Sequence, residues 1–344
     1  MRVRSKRASS EGGGGIYYSA PLGLEYVKSG STLLDLCATN SVAGCWPLGR
    51  VSNVIGDKST GKTLVAIEAC ANFYKQYPKG HIWYRETESA FDTSYAASIG
   101  MPVEHINKGE KKWTKFDTVE DVFDDLSEKI AATKKAGVPC LYIVDSLDAL
   151  SDKAELKRKI EDRDYPRKPA LLSQLFRRKI REIEESQTHL MIISQIRTNI
   201  GAMFGDKTSR TGGRALDFYS SLVFKLAHIG QLSRTIKGEK RVTGVRIKAK
   251  CTKNKIGPAF RECEFILRFS YGIENYESSM EWLLARGGAK LLGISAAAAD
   301  TLVDDSAEWD PETYSAREAE LVEAVAETWM QIEKEFRPTR PKYG

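Results

Sequence analysis

The sequence predicts an α/β protein with a central, mostly parallel sheet that carries a phosphate-binding loop. A short N-terminal arm precedes it and a small helical C-terminal domain follows. Three observations lead there. Short apolar runs alternate with helical patterns between about residues 31 and 275. One of these runs passes directly into a GxxxxGK[ST] segment that opens a helix. After residue 275 the composition turns Ala-rich and helical. The 344 residues suffice for about two domains. With 42% hydrophobic and 28% charged residues, a mostly disordered chain is excluded. The net charge of +6 permits an anionic partner without naming one. No apolar run approaches the ~18 residues of a membrane span. The basic start, Met1 to Arg7, has no apolar stretch behind it, so a secretory signal is not expected. Six cysteines without a CxxC pair, and only four histidines, argue against a zinc site or a disulfide framework and fit a reducing compartment.

Residues 1–15 read as a flexible arm, basic first and then Ser9, Ser10, Glu11 and the run Gly12 to Gly15. Strands are expected at 51–55, 81–84, 141–144, 190–194, 222–226, 242–249 and 264–269. The last of these have short connections, which allows antiparallel pairing. A helix is expected over 64–77. Another contains Val119, Val122, Leu126 and Ile130 at helical spacing, with acids in its first turn and lysines in its last. A third runs over 169–185. Helical patterns return at 294–301 and 316–336, before a basic, Pro-broken tail over 337–344. The expected division is therefore an arm or oligomerisation segment (1–32), a core (33–275) and a small C-terminal domain with a basic tail (276–344).

The phosphate loop reads Gly56, Asp57, Lys58, Ser59, Thr60, Gly61, Lys62, Thr63. Its glycines let successive backbone N–H groups turn toward one centre, and the helix N-terminus adds partial positive charge. Lys62 is placed to reach the outer phosphates and the Thr63 hydroxyl to ligate Mg²⁺. The run Leu141 to Val144 ends in Asp145, which fits a second carboxylate acting on the same ion. ATP and Mg²⁺ are the expected cofactors.

The stretch Ser194-Gln195-Ile196-Arg197-Thr198-Asn199-Ile200-Gly201-Ala202-Met203-Phe204-Gly205, followed by Thr211 to Tyr219, resembles the second DNA-binding loop of the bacterial RecA recombinases. Further resemblances follow in the family's order. They are Pro47-Leu48-Gly49-Arg50, Glu88 to Asp92 with Tyr95-Ala96, Val144-Asp145-Ser146 with Ala149-Leu150, and Lys253-Asn254-Lys255-Ile256 with Pro258 and Phe260. The match covers about 33–275, and both ends differ. The chain is identified as a divergent member of the RecA family, phage-encoded or bacterial.

That resemblance implies a RecA-type core and a DNA-dependent ATPase. It further implies filaments on single-stranded DNA, homologous pairing with double-stranded DNA, and a cytoplasmic, nucleoid-associated location. Glu88 aligns with the residue that positions the attacking water; Glu86, two residues earlier, is the rival. Asp92 and Tyr95 match contacts to the base. Gln195 is implied as the sensor between ATP state and the DNA loop. Lys253 and Lys255 are implied to reach the ATP of the adjacent subunit, and Phe218 to lie at the subunit contact. The implied DNA contacts are Ser173, Arg177, Arg197, Arg210, Gly212, Gly213 and Arg214, with Ile200 as an apolar wedge between bases. Arg214 stands where the family usually has an amide. The first DNA loop departs from the family: between Lys153 and Lys168 basic residues outnumber acidic ones seven to four, fitting phosphate contact or a solvated surface. Tyr17-Tyr18-Ser19-Ala20 resembles the docking motif of archaeal and eukaryotic recombinases, or forms a simple edge strand. The basic tail is expected to favour duplex binding. Two other functions stay open at this point: a paralogue that binds ATP and DNA without exchanging strands, and a hexameric helicase on a related core.

Overall fold

Apolar runs buried on both faces require a sheet covered by helices on each side, and this chain folds that way. The computed structural model describes residues 23–88, 91–110, 113–157, 168–198, 208–210 and 213–340. The chain begins with β1 (Tyr26–Val27), α1 (Thr32–Thr39), β2 (Trp46–Pro47) and β3 (Val51–Gly56). Next come α2 (Lys62–Gln76), β4 (His81–Glu86), α3 (Thr93–Ser98), α4 (Val119–Ala136) and β5 (Cys140–Asp145). They are followed by α5 (Lys153–Lys157), α6 (Lys168–Glu185), β6 (Thr188–Thr198), β7 (Thr208–Arg210) and α7 (Gly213–Tyr219). Four strands complete the sheet: β8 (Leu222–Ile236), β9 (Glu239–Asn254), β10 (Glu262–Arg268) and β11 (Gly272–Glu274). The helices α8 (Asn275–Leu284), α9 (Ala296–Asp305) and α10 (Pro311–Glu335) end the fold.

The main sheet has the order β11-β10-β9-β8-β3-β6-β5-β4, with β7 paired to β6 outside this row. From β8 across to β4 neighbours run parallel, while β9, β10 and β11 are antiparallel. Alternation along each strand sorts side chains between two cores. Met191 and Ile193 of β6 face α1 and α2; Leu190 and Ile192 face α4 and α6. The ends of α4 follow its charges. Thr118 caps it by accepting from Asp121 N, Gly137 closes it in the left-handed region, and Lys134 and Lys135 fill its last turn.

Each of the seven expected strands is present, but β8 and β9 are far longer than the sequence suggested. Pairing to β3 ends at Gly56↔Leu226, and beyond it β8 is largely exposed, so no buried face imprints an alternation there. Pairing continues because Lys237 and Gly238, with φ of 49° and 82°, form a tight turn that matches strand twist. β1, β2, β7 and β11 were not expected, being too short to show a period.

α8 packs on β10, and α10 packs on α8 and α1. Leu321, Ala324, Val325 and Trp329 of α10 share one apolar core with α1 and α2. All six cysteines are free and buried. Among the described residues no helix is long and apolar enough to cross a membrane. The Tyr17–Ala20 stretch, most of the first DNA loop (158–167), Ile200, 203–205, Gly212 and the last four residues lie outside the described residues.

Candidate nucleotide site and DNA-loop junction

β3 delivers the chain to the phosphate loop at the middle of the sheet. Gly56 leaves no room for a side chain: a Cβ there would lie 2.5 Å from Thr60 Oγ1 and 2.7 Å from Leu226 O. Thr60 Oγ1 donates to Asp57 O at 2.9 Å and folds the loop back. Gly61 precedes α2 in the left-handed region, with φ 81°, and a Cβ would come within 2.3 Å of Leu267 Cδ1. Lys58 and Ser59 are exposed at the loop's turn. The N-terminus of α2 thus faces an open anion cradle. Lys62 Nζ donates to Asp57 O at 2.6 Å, lying across the loop. Burial lowers the Lys62 pKa, while the charges of Asp145, Glu88, Asp148 and Asp57 pull it back up.

Asp145 ends β5 in the predicted place. Thr63 Oγ1 donates to its Oδ2 at 2.8 Å, and Tyr84 Oη donates to the same oxygen at 2.6 Å. Burial pushes the Asp145 carboxyl up, and the bonds from Tyr84 and Thr63 oppose this. A hydroxyl and a carboxylate side by side are hard oxygen donors, which fit a magnesium ion. Sequence reasoning missed Tyr84. Its only signal was alternation, since it shares a β4 face with Glu86.

The two candidate acids separate. Glu86 is buried at the end of β4, in register with Asp145, and is no surface acid. Its neighbour Arg85 turns to the other face, where it pairs with Glu110 and Asp125. Glu88 lies past the strand end. Its Oε1 accepts from Ser146 Oγ at 2.6 Å and from Gln195 Nε2 at 3.0 Å. Gln195 itself pairs with Gly56 in register, so it sits beside the start of the phosphate loop.

Asp92 caps α3, its Oδ1 accepting from Ser94 N and Tyr95 N. Tyr95 is 37% exposed. With Phe91, Ile67 and loop residues 59–64 they line a cleft of about 360 Å³.

Lys253 and Lys255 stand elsewhere. Lys255 N donates to Ser221 O, and Ser221 N donates to Val51 O at the start of β3. The phosphate loop leaves the far end of that strand, roughly 17 Å away at ~3.3 Å per residue. Both ammonium groups turn to the carbonyl end of α7. Each donates to Phe218 O at 3.0 Å, and Lys253 also to Asp217 O. Lys255 Nζ lies 5.7 Å from the Phe218 ring, which is 68% exposed.

Of the expected DNA contacts, Ser173 and Arg177 lie one turn apart on α6, on a face left outward by the buried Leu172 and Phe176. Arg197 and Arg210 belong to the β6–β7 stem, where Arg197 pairs with Ser209 and Ile196 with Arg210. Gly213 and Arg214 open α7.

The model of the RecA N-terminal domain family matches residues 18–274. Protein RecA of Borrelia hermsii is 32% identical over 260 residues, which is 75% of this chain and 68% of that one. Protein RecA of Chlamydia pneumoniae is 35% identical over 258 residues, again 75% and 68%. Protein RecA of Streptomyces venezuelae is 30% identical over 250 residues, 73% of this chain and 61% of that one. A phosphate loop at the sheet centre, an acid bonded to the glutamine that opens the next loop, and a family match across the whole core agree: this chain belongs to the RecA family of DNA-dependent ATPases and recombinases.

Proposed function

We propose that the protein binds ATP with magnesium at its phosphate loop, assembles head to tail into a helical filament on single-stranded DNA, and exchanges strands with homologous duplex DNA. Its place of action is the cytoplasm, at the nucleoid of a bacterial or phage-infected cell. The observation that carries this reading is the Glu88–Gln195 hydrogen bond, which joins the phosphate site to the residue entering the DNA loop.

The division of labour follows from placement. Residues 56–63 cradle the phosphates by backbone N–H groups and the α2 terminus, and Lys62 leaves Asp57 O for the outer phosphate oxygens. Thr63 and Asp145 hold the magnesium ion, which when bound spreads the charge of the outer phosphates. Tyr95 lies along the base, beside the Asp92 cap. Glu88 orients a water in line with the γ-phosphorus; the bond to the ADP oxygen breaks and inorganic phosphate leaves. Gln195 exchanges its bond to Glu88 for one to the γ-phosphate, so the DNA loop senses the nucleotide.

Lys253 and Lys255 are too far from their own phosphate loop, and so serve the nucleotide of the neighbouring protomer, with Phe218 at the contact. Arg197, Arg210, Arg214, Ser173 and Arg177 take DNA phosphates, Gly212 and Gly213 let backbone approach, and Ile200 parts the bases. Residues 1–32, 33–275 and 276–344 act as arm, core and C-terminal domain.

The test is strand exchange between a circular single strand and a homologous linear duplex with ATP and magnesium. Joint molecules are expected, together with ATP turnover that rises on adding single-stranded DNA. Turnover that stays flat, with no joint molecules, would contradict the reading.

A further inference from the structure

Strand β6 changes partners near one residue. β5 flanks it as far as Val144↔Ile192, and β3 as far as Gly56↔Gln195. From Ile196 it pairs with β7, the stem of the DNA loop. At Gln195 a side chain stands where β5 has ended: the Gln195 N–H donates to Asp148 Oδ2 at 2.6 Å. Asp148 comes from the single 3₁₀ turn Leu147–Ala149, just after Asp145. A carboxylate accepting a main-chain N–H makes a stronger bond than the neutral ladder bond it replaces. The other oxygen, Oδ1, is buried with no hydrogen-bond partner among the described residues. Buried acceptors are almost always paired, so packing alone does not account for a carboxylate in this place. Asp148 is also near enough to the phosphate loop for its charge to act on Lys62.

We propose that Asp148 is a positioning residue that pins the main chain of Gln195 at the point where β6 leaves the sheet for the DNA loop. The pin gives the Gln195 side chain a fixed pivot. Its amide can then swing from Glu88 to the outer phosphate of ATP, and the swing passes into the β6–β7 stem. Without the pin, the amide changes partners and the stem does not follow. This rests on the reading of Gln195 as the link between nucleotide and DNA.

The experiment compares wild type, Asp148→Ala and Asp148→Asn. Affinity for a labelled single-stranded oligonucleotide is measured with a non-hydrolysable ATP analogue and with ADP, and nucleotide affinity is measured separately. For Asp148→Ala the ratio of the two DNA affinities should fall by about tenfold, within the usual range of coupling between sites, while nucleotide affinity stays within about threefold. Asp148→Asn keeps an acceptor oxygen, and should restore most of the ratio despite losing the charge. A wild-type ratio in Asp148→Ala would overturn the proposal. So would an equal loss in Asp148→Asn, since charge rather than the hydrogen bond would then be acting. A wild-type protein whose DNA affinity ignores the nucleotide would instead overturn the reading of Gln195, and the pin with it.

Discussion

Two residues show how single positions carry the fold and the site. Gly61 combines φ 81° with a neighbour, Leu267 Cδ1, that any Cβ would meet at 2.3 Å. Gly61→Ala should cost about 1–2 kcal/mol from backbone conformation alone, add the clash, and weaken nucleotide binding; titration of a fluorescent nucleotide together with thermal unfolding checks both. His189 is buried against Trp46 and bonds Pro47 O through Nδ1 at 2.7 Å. Burial holds its pKa down at about 4, against 6.5 when unfolded, with the bond to Pro47 opposing. Below pH 6.5 the unfolded chain takes up a proton that the folded chain refuses. The stability that neutral His189 allows is therefore complete above pH 6.5 and is lost as pH falls toward 4, by about 3 kcal/mol. Wild type should lose that much relative to His189→Gln between pH 7 and 4 in denaturant titrations, and a constant gap would contradict it. The phosphate loop was legible in the sequence because its residues are contiguous and their spacing is the chemistry. Tyr84 and Asp148 were not, because their roles arise from strand register and from a turn that brings a side chain to another strand's edge.

At the scale of elements, α7 would join two of the proposed functions. It begins as the DNA loop ends, and its last carbonyls hold Lys253 and Lys255. If the lysines serve a neighbour's phosphates as proposed, they must leave these carbonyls, and DNA acting on α7 would influence their release. Lys253→Ala should retain nucleotide affinity within about threefold while losing DNA-stimulated turnover by tenfold or more, as an arginine-finger deletion does; steady-state ATPase with and without single-stranded DNA checks this. The apolar strands β3 to β6 were readable because both their faces are buried. The outer halves of β8 and β9 were not, because exposed pairing depends on a two-residue turn and leaves little hydrophobic period behind.

For the whole molecule, the phosphate loop and the lysine pair lie at opposite ends of β3, so under the proposed trans role of the lysines neither would complete a site without a second copy. Lys62→Ala and Lys253→Ala proteins, each deficient in DNA-stimulated turnover alone, should therefore rescue one another when mixed. Random order makes about one quarter of the seams complete in a head-to-tail assembly, and turnover should recover to about that fraction. No recovery would contradict a shared site. The same geometry has an arithmetic consequence for length. In such a row of n protomers one terminal nucleotide would meet no lysines, so only n − 1 of the engines could fire. Turnover per protomer should then start near nothing on the shortest oligonucleotides and climb toward a plateau as the template grows, making this enzyme a crude molecular ruler.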